Sequence, residues 1–256
     1  MNILVCIKQV PDMESKFKVG PDGAWYDSAD LAWRMNEYDE YAVEQAVQLK
    51  EKTGSDLTVL CIGPERVKET MKKALAMGCD RGVHVADDAS FKKDPFSIAS
   101  IIAEFAKSKN FDLIFTGMQS QDRGSGQVGV LVAEMLGLPC VTTIVGFSFD
   151  NGAIAVKREL EGGIKAKVTS PTPALVTCQL GLNTPRYPTL PNIMKAKKKE
   201  LLSVPVADLC KVQALEETTS LYFPEKKGGG LVLEGDAGDL ADKLIKILKE
   251  KTAVLA

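Results

Sequence analysis

The chain has 256 residues and a mass of 27.7 kDa, enough for one large domain, or one domain with an extension, around a sizeable core. Hydrophobic residues make up 45%, charged residues make up 26%, and the net charge is −2, which excludes a disordered, collagen-like or disulfide-dense chain. No apolar run reaches the ~18 residues of a membrane-spanning helix, so we expect no direct membrane insertion. The chain enters a strand-like run at once, which predicts a cytoplasmic protein or one that enters a compartment without a cleaved signal.

Histidine is scarce, and the cysteines are not spaced for metal binding. The one histidine, His84, lies in an apolar run, where a hydrogen-bonded structural imidazole is the expected role. No two cysteines stand in CxxC spacing, which makes a metal cluster or a redox dithiol improbable. We therefore predict no metal ligand and no catalytic residue. We expect most of the six to be buried thiols in a reducing compartment: Cys6, Cys61, Cys79, Cys140, Cys178 and Cys210.

The first two-thirds of the chain alternate between strand and helix patterns. Strands are predicted near 2–9, 57–62, 82–86 and 112–116, and helices near 36–53, 65–77, 95–108 and 127–137. Asn36 is the expected N-cap of the first helix, and Gly54 its end. This alternation predicts an α/β fold whose mainly parallel, doubly wound sheet is covered by helices.

The pattern changes after about residue 140. Extended segments are predicted at 141–149, 153–157, 164–168 and 174–178, and Gly162 and Gly163 join the second and third of these as a β-hairpin. From Gly181 there is little periodicity until an amphipathic helix near 239–250. We predict an α/β domain over 1–180, and over 181–256 a recognition loop and C-terminal arm that wraps a partner subunit.

A glycine-containing loop follows the strand near 112–116 and leads into a helix. Gly124, Ser125 and Gly126 let the backbone approach an anion, and the helix start offers free N–H groups to a phosphate. No GxxxxGK[ST] motif is present, which argues against a P-loop NTPase. Gly124, Gly126 and Gly129 have the GxGxxG spacing, but they follow a late strand rather than the first. The alternative is that this loop is only a flexible connection between the strand and the helix. Asp122 would repel a phosphate, but it could accept a hydrogen bond from a ribose or hold the loop.

The segment 182–199 combines prolines, apolar residues and cations. Pro185, Pro188 and Pro191 recur every third residue, which predicts a stiff polyproline II segment. A solvated charge run and polyanion binding are alternatives, and the net charge makes the second less attractive. An apolar tip flanked by cations favours transient docking to an acidic protein surface. The apolar residues are Tyr187, Leu190, Ile193 and Met194, and the cations are Arg186, Lys195, Lys197, Lys198 and Lys199.

The segment Val156-Lys-Arg-Glu-Leu-Glu-Gly-Gly163 is, by itself, only a charged hairpin. Together with Asn183-Thr-Pro-Arg-Tyr-Pro-Thr-Leu-Pro-Asn-Ile-Met-Lys-Ala-Lys-Lys-Lys199, it resembles the beta subunit of electron transfer flavoproteins. The segments 2–10, 35–44, 74–85 and 173–177 extend the resemblance over essentially the whole chain. The resemblance implies a Rossmann-like domain, similar to adenine nucleotide alpha hydrolases, in a heterodimer whose alpha subunit holds most of a redox-active FAD.

The resemblance also implies that this chain holds AMP as a structural nucleotide. The AMP contacts it implies are Cys6, Asn36, Glu37, Tyr38, Asp39, Ile62, Ser120, Gln121, Asp122, Arg123, Gly124, Ser125, Gly126, Gln127, Val128, Gly129, Val130 and Leu131. In electron-bifurcating members a second FAD replaces AMP, and their loop typically reads Asp-Gly-Asp-Thr-Ala-Gln-Val-Gly. Here the loop reads Asp-Arg-Gly-Ser-Gly-Gln-Val-Gly over 122–129, which favours AMP.

The partners implied are flavin-containing dehydrogenases, such as the acyl-CoA dehydrogenases of fatty acid oxidation, and a downstream quinone oxidoreductase. Leu190 resembles the leucine that such proteins insert into a dehydrogenase pocket, with Tyr187, Pro191, Ile193 and Met194 beside it. Glu159 matches an acid used near the mobile flavin domain. The chain is then an electron carrier without substrate chemistry of its own. An ATP-hydrolysing enzyme on the same fold, or a nucleic-acid-binding protein that uses the lysines, is less favoured.

Overall fold

A computed structural model of the chain describes residues 1–225 and 228–252. The chain forms two compact units, Met1–Leu221 and Tyr222–Ala256. The smaller unit contains a helix whose N-cap, Asp236, accepts a hydrogen bond from the backbone N–H of Asp239, which confirms the helix predicted near 239–250. Residues 226, 227 and 253–256 of the predicted arm lie outside the described residues. In the ranges that are described, no helix has both the length and the apolar character needed to cross a membrane.

The strands are β1 (Asn2–Ile7), β2 (Gln9–Pro11), β3 (Trp33–Met35), β4 (Asp56–Gly63), β5 (Arg81–Ala86), β6 (Leu113–Gly117), β7 (Cys140–Asp150), β8 (Ala153–Glu159), β9 (Lys165–Pro171), β10 (Ala174–Cys178) and β11 (Leu201–Pro205). The helices are α1 (Glu37–Thr53), α2 (Val67–Met77), α3 (Pro95–Ala106), α4 (Val128–Leu136), α5 (Leu190–Ala196) and α6 (Ala237–Lys251). The helices predicted in the first two-thirds of the chain are therefore confirmed to within a few residues.

A nine-stranded sheet organises the larger unit. Its strand order is β11-β5-β4-β1-β6-β10-β7-β8-β9, and every neighbouring pair from β11 to β7 is parallel. β8 and β9 extend the sheet as antiparallel strands. The predicted class, a mainly parallel α/β sheet with a β-hairpin, is confirmed. β2 and β3 form a separate antiparallel pair.

Both faces of β1 are buried. Ile3, Val5 and Ile7 pack in a core with side chains of α1 and α2, while Leu4 and Cys6 pack in a second core with side chains of α3 and α4. Because successive side chains of a strand point to opposite faces, a strand covered on both faces must be apolar throughout. This explains the unbroken apolar run at the start of the chain.

His84 and the cysteines have structural surroundings. The imidazole of His84 is fully buried on β5, with Nε2 2.7 Å from the Gly63 carbonyl oxygen and Nδ1 3.1 Å from Ser203 Oγ. These contacts join β4, β5 and β11 and confirm the structural role predicted for His84. All six cysteines are free, and four of them are buried. Burial raises the pKa of the Cys61 thiol to about 12, so this thiol is held in its neutral form.

The region after Gly181 is more ordered than its weak periodicity predicts. β11 pairs with β5 at the edge of the sheet, and α5 packs against α2. The predicted polyproline II geometry is wrong at Pro191, which lies in the first turn of α5, where its fixed φ suits a helix start. Thr189 caps this helix by accepting a hydrogen bond from the backbone N–H of Asn192.

Candidate nucleotide-binding cleft

A cleft opens at the carboxyl ends of β1, β4 and β6. β1 pairs with β4 on one side and with β6 on the other, so the order of the sheet reverses at β1. Open α/β sheets bind ligands at such a switch point, because the loops on either side diverge. Cys6 and Ile62, at the ends of β1 and β4, and Thr116, near the end of β6, line the cleft.

Asp39, in the first turn of α1, holds the two central strands at the cleft. Its Oδ2 accepts a hydrogen bond of 2.7 Å from the backbone N–H of Lys8, and its Oδ1 accepts one of 3.1 Å from Gly117. The side chain is buried, and this burial raises the pKa of its carboxyl group to about 7. Both carboxyl oxygens of Asp39 are thus engaged by the protein backbone.

Two glycines permit close packing around the cleft. A methyl group on Gly117 would collide with the Asp39 carboxylate and lie 2.8 Å from the Cβ of Tyr38. A methyl group on Gly129 would lie 2.6 Å from Thr116 Oγ1 and 2.8 Å from a methyl carbon of Thr177. α1 can therefore approach β6, and α4 can approach β6 and β10, only with glycine at these positions.

The loop between β6 and α4 presents its backbone to the cleft. Gly124 and Gly126 have φ angles of 62° and 64°, in the left-handed region, and apart from their chain neighbours the nearest atoms to their Cβ positions lie at 4.0 Å and 3.8 Å. α4 begins at Val128, directly after the loop, and its first N–H groups have no partner within the helix. Open glycine backbone next to a helix start suits an anion, so these residues fit the phosphate of a nucleotide.

Residues of α1 and its N-cap orient the loop. Asn36, at the N-cap position, makes no side-chain capping bond; its Nδ2 donates to the Gln119 carbonyl, and its Oδ1 accepts from the backbone N–H of Gln121. The Gln121 side chain donates to Glu37, and that of Gln119 donates to the Tyr38 hydroxyl. The helix start thus fixes the shape of the loop.

An ion pair neutralises the acidic residue of the loop. Lys8 Nζ lies 2.7 Å from both carboxylate oxygens of Asp122 and 3.3 Å from Ser120 Oγ. The Asp122 side chain is only 7% exposed, so its charge is compensated mainly within the protein. The repulsion of a phosphate that Asp122 would exert alone is thereby reduced.

Aromatic and cationic side chains also line the cleft. The Trp25 ring lies 5.7 Å from the Phe91 ring and 4.7 Å from the guanidinium of Arg123. The guanidinium of Arg66 lies over Trp33 at 3.8 Å. All five side chains line the cleft.

The cleft brings together most of the predicted nucleotide contacts. Those that line it are Cys6, Asn36, Asp39, Ile62, Ser120, Asp122, Arg123, Ser125, Gly126, Gln127, Val128 and Gly129. Those outside its lining are Glu37, Tyr38, Gln121, Gly124, Val130 and Leu131. Lining residues that were not predicted include Lys8, Gln9, Trp25, Tyr26, Trp33, Arg66 and Phe91. The polar pair Lys8 and Gln9, directly after the first strand, was a usable signal, whereas nothing in the sequence distinguishes Trp25.

We call residues 182–199 the recognition segment. Its apolar side chains are exposed in this chain, to 91% at Tyr187, 78% at Leu190 and 61% at Met194. The other exposed residues among its predicted contacts are Pro191, Ile193, Lys195, Lys197 and Lys198.

Two cations of the recognition segment hold it to the α/β domain. Arg186 donates to Glu44, with 2.8 Å between Nε and Oε2, and also to Glu51. Lys199 Nζ donates to the backbone carbonyls of Leu75, at 2.9 Å, and Cys79, and burial lowers its pKa. Both residues therefore already have partners within the chain.

Glu159 ends β8 and is half-buried. Its backbone carbonyl accepts a hydrogen bond from Thr143 Oγ1. β8 lies towards one edge of the sheet. α5 packs on α2, and α2 covers β4 and β5, which lie towards the opposite edge. Glu159 and the recognition segment are therefore separate surfaces.

Comparisons with known proteins identify the class and then the family. Residues 24–209 match the model of the electron transfer flavoprotein domain, so the chain contains the domain that defines the electron transfer flavoproteins. It is 38% identical to the electron transfer flavoprotein subunit beta of Bacillus subtilis over 261 residues, covering both chains completely. It is 35% identical to the subunit beta of Methylophilus methylotrophus, over 98% of each chain, and to that of Mus musculus, over 96% of this chain and 98% of the mouse protein. The chain belongs to the electron transfer flavoprotein beta-subunit family, which confirms the predicted resemblance.

Proposed function

We propose that this chain is the beta subunit of a heterodimeric electron transfer flavoprotein, in which an alpha subunit holds most of the FAD. The observation that carries this proposal is the similarity to beta subunits over the full length of the chain. The chain serves as an electron carrier and performs no substrate chemistry itself. Its free, mostly buried cysteines fit a reducing compartment such as the cytoplasm.

The cleft holds AMP as a structural nucleotide. The apolar wall that includes Cys6 and Ile62 suits an adenine base, and the open backbone at Gly126 suits a phosphate. The loop sequence over 122–129 differs from the Asp-Gly-Asp-Thr-Ala-Gln-Val-Gly typical of electron-bifurcating members. This difference favours AMP over a second FAD.

The recognition segment docks flavin-containing dehydrogenases, of which acyl-CoA dehydrogenases are the expected class, and electrons then pass to a quinone oxidoreductase. Leu190 is the anchor, since it is an exposed apolar side chain at the start of a capped helix. Lys195, Lys197 and Lys198 steer the encounter with an acidic surface. One small apolar anchor with charge steering suits a complex that must form and dissociate quickly.

Co-purification tests the heterodimer. The chain is expressed with a removable tag together with the genes that adjoin its own, and proteins retained on the affinity column are identified by mass and by absorbance. We expect an untagged subunit that carries flavin. Recovery of the chain alone, with no flavoprotein, would contradict the proposal. Turnover of ATP by the purified chain would support the enzyme alternative instead.

A further inference from the structure

An aromatic cluster around Trp25 lines the cleft. The indole of Trp25 contacts both the Phe91 ring, at 5.7 Å, and the Arg123 guanidinium, at 4.7 Å. Such aromatic and cation–π contacts are attractive, so the ring has a preferred position.

The neighbours of Trp25 are themselves fixed. Arg123 donates one hydrogen bond of 2.7 Å to the Phe91 carbonyl and another of 2.8 Å to the Lys93 carbonyl. These bonds connect the phosphate-facing loop to the segment before α3. The indole therefore rests on side chains that are held in place.

The backbone that carries Trp25 is also held. Its carbonyl accepts a hydrogen bond of 2.6 Å from Gly20, and Asp27 donates one of 2.9 Å to Lys18. Val19 and Tyr26 form an antiparallel bridge, so residues 19–26 form a hairpin. Near its tip, the carbonyl of Gly23 accepts a hydrogen bond from the backbone N–H of Leu221. Moving Trp25 away from the cleft would thus disturb several contacts.

The aromatic cluster stands beside the loop that suits the phosphate. Arg123 directly precedes Gly124, and Trp25, Phe91 and Gly126 line the same cleft. A nucleoside monophosphate ends at its phosphate. A dinucleotide continues beyond it, and Trp25, through its contact with Arg123, occupies part of the cleft next to the loop.

We propose that Trp25 determines the specificity of the cleft by occupying the space that the second half of a dinucleotide would need. The cleft then takes a nucleoside monophosphate and disfavours FAD. This inference rests on the proposal that the cleft holds an adenine nucleotide. A ligand that must displace Trp25 loses the stacking contacts of the indole, which lowers its affinity relative to AMP.

The test compares AMP and FAD as ligands of the full-length chain by titration calorimetry. Trp25→Ala removes the ring. Phe17→Ala is the matched control, because Phe17 packs on Tyr26 of the same hairpin but does not line the cleft. In Trp25→Ala we expect FAD to bind about tenfold more tightly than in the wild type, with AMP affinity changed by less than about threefold. Phe17→Ala should keep the wild-type ratio of the two affinities.

Two results would overturn the inference. One is a ratio of AMP to FAD affinity in Trp25→Ala equal to that of the wild type. The other is loss of AMP binding in Trp25→Ala but not in Trp25→Phe, which would mean that an aromatic ring at this position contacts the nucleotide. Should Trp25→Ala fail to fold, Trp25→Leu tests the same point with a shorter apolar side chain. If the wild type binds neither ligand, the proposed nucleotide site fails together with this inference.

Discussion

The cleft and the recognition segment differ in how their residues are held. In the cleft, Asp39, Gly117 and Gly129 are packed against neighbouring strands and helices with little room for additional atoms. In the recognition segment, Leu190 and Tyr187 project into solvent. A resident nucleotide requires a fixed cavity, whereas a passing dehydrogenase requires a surface that is exposed before and after each encounter.

The recognition segment is nevertheless fixed at its base. Arg186 is bonded to α1, and Lys199 to the carbonyl groups around the end of α2. The exposed apolar side chains lie between these two attachments. The two regions therefore differ in how exposed their contact residues are. The recognition segment itself is fixed to the α/β domain at both ends.

The largest effect is expected in the cleft, from Gly117→Ala. The new methyl group would collide with Asp39 and Tyr38, so we expect the free energy of unfolding to fall by about 3 kcal/mol. Urea unfolding followed by circular dichroism measures this. Gly230→Ala is the control, because open space surrounds Gly230. Equal stability of the two variants would mean that the walls of the cleft are not tightly packed.

Arg186→Met tests the base of the recognition segment. It leaves Glu44, whose side chain is only 4% exposed, without its guanidinium partner, and we expect a loss of about 2 kcal/mol of unfolding free energy. Glu51→Gln, at the more exposed partner of the same arginine, should cost less than about 1 kcal/mol. Similar small losses in both variants would show that the Arg186–Glu44 pair does not anchor the segment.

Leu190→Ala tests the exposed surface of the recognition segment. Burying a leucine contributes roughly 1.5–3 kcal/mol, so we expect electron transfer from the dehydrogenase to slow by about tenfold or more in kcat/KM. The free energy of unfolding and the bound FAD should not change. Leu202→Ala, at another exposed leucine on β11, is the control. Wild-type transfer kinetics in Leu190→Ala would refute the anchor assignment.

The last prediction concerns the pH dependence of the cleft, which is read as a slope per pH unit. Because burial raises the pKa of Asp39 from 3.8 to about 7, the folded state binds more protons than the unfolded state between these values. The contribution of Asp39 to stability is then greatest below pH 4 and falls as pH rises towards 7, by at most about 1.4 kcal/mol per unit. Urea unfolding at several pH values should show a weaker fall in Asp39→Asn. Identical pH profiles would contradict the raised pKa.

Local sequence patterns were sufficient to predict the sheet class and the cleft loop. The alternation of apolar runs with helical periodicity predicts parallel strands, and the glycines before α4 indicate an anion site. β11 was missed because its five residues, two of them only half-buried and the rest exposed, show no alternation and are stabilised by pairing with β5. The Lys8–Asp122 pair joins residues 114 positions apart, and the contact of Trp25 with Arg123 is also long-range. Such contacts depend on the tertiary fold and leave no local pattern.

The most direct test of the central claim is the ligand content of the purified heterodimer. Acid extraction followed by chromatography measures AMP and flavin against protein. If the cleft of this chain holds AMP and the alpha subunit holds the FAD, the extract contains AMP and flavin in equal molar amounts, each matching the heterodimer. Twice as much flavin as heterodimer, with no AMP, would contradict the account and identify a second FAD in the cleft.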